Sequence, residues 1–326
     1  MEHKILRQCW LLLCLLSRVA ALSTTNSGSR QLLVVGLGRV GTDCALMALD
    51  HFDQVYGTVR NLDGASMKQD GIERVSFEPE SLELIYQKCT HVLITVPQPK
   101  QLDPNLNRLF SSMQLNLPSD TWIGLISTTG VYGNHDGAWV DEDSPLLSKE
   151  KSNAALYISY ENEWKQSADS RGQRLRIFRS AGIYDFSRSA LHTVHKNGFR
   201  KPLQETNDVT NRIHSLDIAR AVLASMNKED KDVPFRMYNL TDDAPESRAV
   251  VMERAAELLQ SVGVTVKEPA KPTDTTSTRG RRRLLDRKLV LNQRMREELI
   301  PDGLLFPTYK EGLKAILKDP TAPWQL

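Results

Sequence analysis

The sequence predicts an α/β protein built around a doubly wound parallel sheet, and three observations support this fold. Short runs rich in Val, Ile and Leu alternate with stretches of helical periodicity, which is typical of parallel strands covered by helices on both faces. The first of these runs leads directly into a glycine-rich turn and then into a helical pattern. The chain of 326 residues is also long enough to bury a sizeable core.

The predicted elements follow one another from residue 31 onward. Strands are expected over 31–36, 54–60, 74–77, 91–96, 122–127 and 174–179, with helices between them over 40–49, 81–87, 104–113 and 152–166. From about residue 181, helices over 216–226, 249–261 and 292–299 mix with short strands. This change of pattern predicts a smaller mixed α/β lobe in the C-terminal part of the chain.

The glycine-rich turn has the pattern Gly-x-Gly-x-x-Gly, formed by Gly36, Gly38 and Gly41. The first glycine permits a tight turn, the second lets the backbone approach a pyrophosphate, and the third lets the helix pack closely on the strand. The diphosphate is then expected at the helix N-terminus, beside Val40, where N–H groups and the helix dipole favour an anion. Because a strand precedes the turn and a helix follows it, the pattern predicts a Rossmann-type dinucleotide site. Val96, at the end of the fourth strand, is assigned to the same site; a glycine turn without a ligand is the alternative.

The end of the second strand indicates which dinucleotide is bound. An NAD-binding fold usually has an acidic residue there, which accepts hydrogen bonds from the ribose. This chain has Arg60 in that position, and a guanidinium forms paired hydrogen bonds with a 2′-phosphate. Arg39, inside the glycine loop, is a second candidate for the same phosphate. The sequence therefore predicts that NADP(H) is preferred over NAD(H), with a solvated arginine as the alternative for Arg60.

Three regions are expected on this basis. Residues 1–30 form a targeting leader, 31–180 form an NADP-binding Rossmann domain, and 181–326 form a substrate-side lobe that is partly interleaved with the Rossmann domain. A hydrophilic stretch over 271–283 is the one expected flexible loop within the fold.

The leader combines two targeting patterns. Lys4 and Arg7 precede a short apolar run over 10–16, and the segment 19–21 offers a small-residue cleavage site. The run is shorter than the ~20 residues that span a bilayer, so no stable membrane span is expected after its removal. The hydroxyl-rich, acid-free stretch over 22–30 is typical of a transit peptide. The tandem resembles the bipartite leaders of algae with secondary plastids and favours a plastid location, with the ER and secretory pathway as the alternative.

Composition argues against several kinds of partner. The formal net charge is +2, and part of it lies in the leader, so no basic field is left to attract nucleic acid. Outside the leader the chain has only Cys44 and Cys89, too few for a disulfide framework. No Cys/His cluster has the spacing of a metal site. A small-molecule partner is therefore expected, without nucleic acid and without a bound metal.

Several motifs occur in the order in which one enzyme family has them. The segment 125–133, Leu-Ile-Ser-Thr-Thr-Gly-Val-Tyr-Gly, resembles the fifth-strand signature of the extended short-chain dehydrogenase/reductases. The continuation over 137–142 is similar to an atypical, NAD-dependent epimerase/dehydratase-like branch of that family. Further family-like segments lie at 178–184, 211–219, 238–243 and 307–312. The resemblance covers about residues 31–316 and implies hydride transfer to or from a nicotinamide.

The catalytic residues implied by the resemblance are incomplete. Thr128 matches the hydroxyl that hydrogen-bonds the reacting oxygen. The family also needs Tyr-x-x-x-Lys on the next helix, where the lysine and the nicotinamide charge lower the tyrosine pKa. Aligning Glu161 with the family's downstream acid places Asn153 and Tyr157 at the Tyr and Lys positions, so the usual proton relay is missing. Tyr157 or Tyr160 is a candidate displaced acid, and Tyr132 is another phenol that could face the nicotinamide. A hydroxyl bonded within the fold is the alternative for Thr128. Core packing of one and exposure of the other is the alternative for Tyr157 and Tyr160, and core packing is the alternative for Tyr132.

Four polar residues belong to the substrate side by the same resemblance: Arg179, Arg188, Arg212 and His214. Arginine side chains match phosphate, so a phosphorylated or nucleotide-linked substrate is expected. A buried ion-pair network is the alternative for Arg212 and His214. The run Arg281-Arg282-Arg283 is either a lid over a diphosphate or a solvated loop.

Two functions remain open on the sequence. The first is an NAD(P)-dependent oxidoreductase or epimerase-like enzyme that uses NADP(H) on a sugar-like or phosphorylated alcohol or ketone. The second is a non-catalytic NADP(H)-binding redox sensor or assembly factor, because Tyr-x-x-x-Lys is missing. Family members often form a homodimer through two helices of the Rossmann half, but no apolar stripe in this sequence establishes one.

Overall fold

The computed structural model describes residues 28–60, 62, 68–96, 104–149, 152–200, 209–228, 230, 232–268 and 287–325. Most of the expected leader and the arginine run at 281–283 lie outside the described residues. The expected flexible loop over 271–283 also lies outside them.

The strands run through the whole described chain. They are β1 (Gln31–Val35), β2 (Gln54–Thr58), β3 (Lys68–Gln69), β4 (Ile72–Val75), β5 (His91–Ile94), β6 (Trp122–Thr128), β7 (Trp139–Val140), β8 (Arg174–Ser180), β9 (Gly182–Tyr184), β10 (Val209–Thr210), β11 (Arg212–His214), β12 (Phe235–Leu240), β13 (Glu246–Ser247) and β14 (Leu289–Val290).

Helices alternate with these strands. They are α1 (Arg39–Ala48), α2 (Pro79–Tyr86), α3 (Pro104–Asn116), α4 (Asn153–Arg171), α5 (Ala190–Asn197), α6 (Ser215–Asn227), α7 (Arg248–Ser261), α8 (Gln293–Glu298) and α9 (Tyr309–Leu317). A short 3₁₀ turn, Thr129–Tyr132, follows β6.

The central sheet has the order β12-β8-β6-β5-β1-β2-β4-β3. Every neighbouring pair in it is parallel except β3 with β4, which form a small antiparallel hairpin. The strand order reverses between β1 and β5, which is the switch point where ligands bind in open α/β sheets. The predicted doubly wound Rossmann fold is confirmed.

Each face of the sheet has its own apolar core, because successive residues of a strand point to opposite faces. On one face, Leu32 and Val34 of β1 belong to a core formed with α1 and α6. On the other face, Leu33 and Val35 belong to a core formed with α2, α3 and α4. β1 is therefore apolar at both faces, as a central parallel strand should be.

The smaller lobe packs on the carboxyl ends of the strands and has a core of its own. Its apolar residues come mainly from α5, α7 and α9 and include Leu191, Leu259 and Leu313. The helix α9 begins with a capping box in which Thr308 and Glu311 satisfy each other's backbone amides. Chain segments beyond residue 180 also return to the large sheet as β12 and cover it as α6.

Candidate functional site: a glycine loop beside an arginine-lined cavity

The glycine loop between β1 and α1 has a conformation that the glycines make possible. Gly36 has φ +104°, and a Cβ there would lie 2.8 Å from Cγ2 of Val96. A Cβ on Gly41 would overlap the carbonyl oxygen of Gly36, so the missing side chain lets α1 pack against the loop. A Cβ on Gly38 would meet nothing within 4 Å, which means that this glycine faces open space. The three positions thus have the geometry of the Gly-x-Gly-x-x-Gly site.

Two threonines hold this loop at the switch point. The amide of Gly36 donates to Oγ1 of Thr58, at the end of β2, over 2.7 Å. The hydroxyl of Thr95, just beyond β5, donates to the carbonyl of Gly36 over 2.6 Å. Sequence reasoning missed both threonines, although each stands at or next to the carboxyl end of a strand adjacent to β1. Their hydrogen bonds fix the turn without using the amides of the helix that follows.

Those helix amides provide the site for an anion. The amide of Thr42 donates to the carbonyl of Gly38 over 2.8 Å, which is the first backbone hydrogen bond of α1. The amides that precede it, including that of Val40, have no intrahelical acceptor in any α-helix. They lie beside the open space at Gly38, where backbone N–H groups and the helix dipole favour a diphosphate. The cradle therefore fits a dinucleotide cofactor.

The two arginines expected at the 2′-phosphate differ in their surroundings. Arg60 is exposed and lies two residues beyond the end of β2. Arg39 instead forms an ion pair across the loop, with its Nε 3.2 Å from Oδ2 of Asp185 in the smaller lobe. Asp185 is fully buried. Arg60 is thus exposed beyond the end of β2, whereas Arg39 is paired with an acid of the smaller lobe.

A cavity of about 650 Å³ lies beside the glycine loop and has Arg39 in its lining. Residues of α1, α5, α7 and α9 and of the small strands β9–β11 line it. Four guanidinium groups are among them: Arg39, Arg188, Arg212 and Arg248. Arg188 is exposed, whereas Arg212 is buried. Such a concentration of arginine favours an anionic ligand, in particular one with phosphate groups.

Arg212 is fixed by the surrounding backbone. Its guanidinium donates to the carbonyl of Glu246 over 2.8 Å, to the carbonyl of Ala244 over 3.3 Å, and to the hydroxyl of Thr210. It also lies 5.2 Å from the ring centre of Tyr309, within cation–π range. Burial lowers the pKa of Arg212. An arginine stays charged nevertheless, so Arg212 presents a rigid positive charge to the cavity.

His214 was expected to contact the substrate, but in the structure its side chain caps the helix α6. His214 is fully buried, and its Nδ1 accepts the amide of Leu216 over 3.2 Å, which caps the N-terminus of α6. Its ring packs among Tyr184, Phe186 and Phe306. Because these rings enclose it, the structure assigns His214 to the helix cap rather than to substrate.

Arg179 and Tyr132 also lie in the core, in a buried polar network. Arg179 forms an ion pair with Glu161 at 2.7 Å, and both side chains are almost completely buried. The same guanidinium donates to the Tyr132 hydroxyl over 3.1 Å, and that hydroxyl donates to Asn239 over 2.7 Å. The hydroxyl of Ser127 donates to Glu161. Burial raises the pKa of Tyr132. A phenol so enclosed is not placed to exchange protons with a substrate, so both residues stabilise the sheet.

Thr128 is the last residue of β6, and Tyr157 lies in α4, where it packs against residues that follow β6. Oγ1 of Thr128 accepts the amide of Gly130 over 3.1 Å, which leaves the hydroxyl proton to be donated. Tyr157 is half-buried and packs against a small apolar cluster that includes Val131 and Val140. Of the site residues expected from the sequence, the structure thus brings together the glycine loop, Val96, Arg39, Arg188 and Arg212 around one edge of the sheet.

The described residues offer no group of three or more His, Cys, Asp or Glu side chains that could hold a metal ion. In the same part of the chain, no helix combines the length and the apolar character needed to cross a bilayer.

Comparison with known proteins gives a clear structural result. No protein-family model and no curated protein matches the sequence. A functionally unknown conserved protein from Silicibacter pomeroyi is 30% identical, with a TM-score of 0.73, and the match covers 89% of this chain and 99% of the other.

Two structures of lower identity carry a nicotinamide cofactor. A dTDP-glucose 4,6-dehydratase from Bacillus anthracis, in complex with NAD, is 15% identical with a TM-score of 0.69, covering 91% of this chain and 98% of its own. The human epimerase family protein SDR39U1, with NADPH, is 17% identical with a TM-score of 0.63, covering 89% and 99%. At these identities the likeness concerns the fold. This protein therefore belongs to one family with the Silicibacter pomeroyi protein, and that family has the fold of the extended short-chain dehydrogenase/reductases of the epimerase/dehydratase type.

Proposed function

We propose that this protein is an NADP(H)-dependent oxidoreductase or epimerase-like enzyme that acts on a sugar-like alcohol or ketone carrying phosphate groups. The observation that carries the proposal is the position of the arginine-lined cavity directly beside the glycine loop, with Arg39 belonging to both. A cofactor in the loop and an anionic ligand in the cavity would then meet at the carboxyl edge of the sheet, as ligands of open α/β folds do.

The cofactor would be held mainly by backbone atoms. The amides at the start of α1 and the open face of Gly38 would receive the diphosphate. Arg60 would bind the 2′-phosphate, and this contact is the basis for preferring NADP(H) over NAD(H). Val96 would pack beside the cofactor at the loop, because its Cγ2 atom lies next to Gly36, 2.8 Å from where a Cβ of that residue would be. Bound in this way, the nicotinamide supplies a hydride donor or acceptor.

The substrate would be oriented by its anionic end. Arg188, Arg212 and Arg248 line the cavity away from the glycine loop, and guanidinium groups bind phosphate through paired hydrogen bonds. The dTDP-glucose dehydratase with the same fold acts on a nucleotide-linked sugar. A nucleoside diphosphate sugar, or a smaller phosphorylated sugar, is therefore the substrate class that we propose.

Thr128 is the group that we place at the reacting oxygen. Its oxygen accepts the amide of Gly130, and its hydroxyl proton remains available as a donor to a ligand. Tyr157 is the proposed acid, because Tyr132 lies in the buried network with Arg179 and Asn239. No tyrosine of α4 has a lysine four residues later. Proton transfer would therefore proceed without the lysine that normally assists it in this fold.

The same missing lysine supports a second function, a non-catalytic NADP(H) sensor or assembly factor. The two functions share the cofactor site and differ only in whether substrate turns over. Steady-state and stopped-flow absorbance of NADPH, with a panel of aldehydes, ketones and nucleoside diphosphate sugars, distinguishes them. Turnover that falls about 100-fold in Thr128→Ala, and is retained in Thr128→Ser, supports the enzyme. Tight NADPH binding without turnover by any of these compounds supports the sensor.

Cofactor preference has a separate test. Arg60→Asp should weaken NADPH binding by about 10- to 100-fold while leaving NADH binding nearly unchanged, because a charge-assisted contact to the 2′-phosphate is replaced by repulsion. Fluorescence titration of both dinucleotides measures this. Equal losses for NADPH and NADH would contradict the assignment of Arg60.

We further propose a plastid location through the bipartite leader, with ER entry as the alternative, and a homodimer in solution. N-terminal sequencing of the mature chain from its native source tests the first, since two successive cleavages remove about the first thirty residues. Analytical ultracentrifugation of the mature chain tests the second.

A further inference from the structure

We propose that Asp185 holds Arg39 at the substrate side of the glycine loop, so that Arg39 binds the anionic group of the substrate rather than the 2′-phosphate of the cofactor. This inference rests on the proposed function, because it assumes a dinucleotide in the loop and an anion in the cavity. It makes Asp185 a positioning residue and Arg39 a determinant of substrate specificity.

Asp185 is built into the smaller lobe in a single orientation. Its Oδ1 accepts three hydrogen bonds: from the Ser187 amide at 2.6 Å, from the Ser187 hydroxyl at 2.6 Å, and from the Arg188 amide at 2.8 Å. The residue follows β9 and is fully buried. With Oδ1 occupied in this way, Oδ2 faces the glycine loop, where Arg39 neutralises it.

Arg39 keeps donors for a ligand in this arrangement. A guanidinium has five N–H donors, and the ion pair with Asp185 places Nε 3.2 Å from Oδ2 without a hydrogen bond to that oxygen. Within the described part of the chain, no other partner of Arg39 is seen. The side chain is 37% exposed and lines the cavity, so its two terminal nitrogens are open to a ligand there.

Movement of Arg39 to the cofactor's adenosine ribose would be unfavourable. It would leave the buried Asp185 carboxylate without its counter-charge, and an uncompensated buried charge is strongly destabilising. The ribose is read at the end of the second strand in this fold, where Arg60 stands, whereas Asp185 belongs to the opposite, substrate-side lobe. The two arginines are therefore divided between the two ligands.

Arg39 also occupies the place where the two anions would be nearest each other. It is the first residue of α1, directly after Gly38, and it borders the same cavity as Arg188 and Arg212. A positive charge between a cofactor diphosphate and a substrate phosphate reduces their repulsion. Removal of this charge should therefore weaken the cavity ligand more when NADPH is bound than when it is absent.

The experiment uses the full-length mature chain, with UDP and inorganic pyrophosphate as probes of the cavity and NADPH and NADH as probes of the loop. The main variant is the double substitution Arg39→Met with Asp185→Asn, which removes both charges and leaves no buried carboxylate unpaired. Arg39→Lys is the second variant, because it keeps the ion pair but loses the terminal guanidinium donors. Arg60→Met is the matched control, and circular dichroism checks that each variant is folded.

Dissociation constants from calorimetry give the result. We expect the double variant and Arg39→Lys to weaken UDP binding about tenfold or more, with the NADPH-to-NADH affinity ratio unchanged. Arg60→Met should do the reverse. The inference is overturned if the double variant lowers the NADPH-to-NADH ratio, if UDP affinity is unchanged, or if the wild type binds NADPH but neither UDP nor pyrophosphate. A wild-type chain that binds neither dinucleotide contradicts the proposed function itself.

Discussion

The glycine loop and the arginine-lined cavity lie side by side but are built in different ways. The loop is six consecutive residues, 36–41, and its shape follows from where side chains are missing. The cavity draws its lining from α1, the β9–β11 region, α5, α7 and α9, which are far apart in the sequence. One site is made of backbone amides in a local turn, and the other is made of side-chain charges brought together by tertiary packing.

This difference separates general recognition from specificity. Backbone amides at a helix N-terminus bind any diphosphate, so the loop identifies the ligand class and little more. The arginines of the cavity are held by contacts such as those of Arg212 with Glu246 and Tyr309. In the proposed function their positions would select one anionic ligand over another, and these positions depend partly on groups that do not line the cavity.

The largest effect is expected from the buried network that joins Arg179, Glu161 and Tyr132. Arg179→Met would leave the Glu161 carboxylate buried without its partner and should lower the free energy of unfolding by about 3–5 kcal/mol. Urea denaturation measures this loss. Combining Arg179→Met with Glu161→Gln should recover part of it. If Arg179→Met instead kept wild-type stability and lost only UDP affinity, Arg179 would belong to the cavity and not to the core.

A pH-dependent effect is expected from the carboxyl group beside Arg212. Asp242 is buried, and desolvation raises its pKa to about 7, with the Arg212 charge acting in the opposite direction. Asp243 and Asp217 are the other acids near it, and both raise its pKa further. Because the folded pKa lies above the unfolded value, the stability that Asp242 contributes is present below about pH 4 and is lost as the pH rises to 7.

The measurement is the free energy of unfolding between pH 4 and 8, in the wild type and in Asp242→Asn. The wild type should lose on the order of 4 kcal/mol relative to the variant across this interval. Asp243→Asn changes the adjacent, exposed carboxyl and should reduce the difference without abolishing it, because desolvation is the largest cause of the raised Asp242 pKa and the charge of Asp243 a lesser one. Parallel pH profiles for wild type and Asp242→Asn would contradict the expectation.

The smallest stability change is expected in the glycine loop, where two substitutions separate folding from binding. Gly41→Ala puts a methyl group against the carbonyl of Gly36. It should lower the free energy of unfolding by about 1–3 kcal/mol and should also weaken NADPH binding. Gly38→Ala meets no protein atom within 4 Å, so the stability should be kept. NADPH affinity should nevertheless fall, since the methyl group occupies the approach of the diphosphate. Full NADPH affinity in Gly38→Ala would place the diphosphate elsewhere.

Much of the fold could be read from the sequence, because its signals are local. The strand predicted over 122–127 is observed at Trp122–Thr128, and the helix predicted over 249–261 at Arg248–Ser261. The strand predicted over 74–77 is observed at Ile72–Val75, where it forms the hairpin with β3 that the pattern did not indicate. Short hairpins at a sheet edge have few residues over which a period can be recognised.

The site was read less completely, because a residue type does not indicate what surrounds it. Arg179 and His214 were expected at the substrate. Arg179 instead pairs with the buried carboxylate of Glu161, and aromatic side chains surround His214. Thr58 and Thr95 were missed, because a hydroxyl at a strand end has no distinctive sequence pattern. Asp185 was also missed, because its partner Arg39 lies 146 positions earlier in the chain.

The sequence by itself determined the doubly wound sheet, the glycine loop and the arginine beyond β2, since each depends on residues that are neighbours in the chain. Only the tertiary structure decided which arginines line the cavity, which are neutralised in the core, and that Arg39 pairs with Asp185. The physical reason is that the state and direction of a charged side chain are set by its burial and by the opposite charge beside it. Both are properties of how distant segments pack, and neither is contained in any single stretch of sequence.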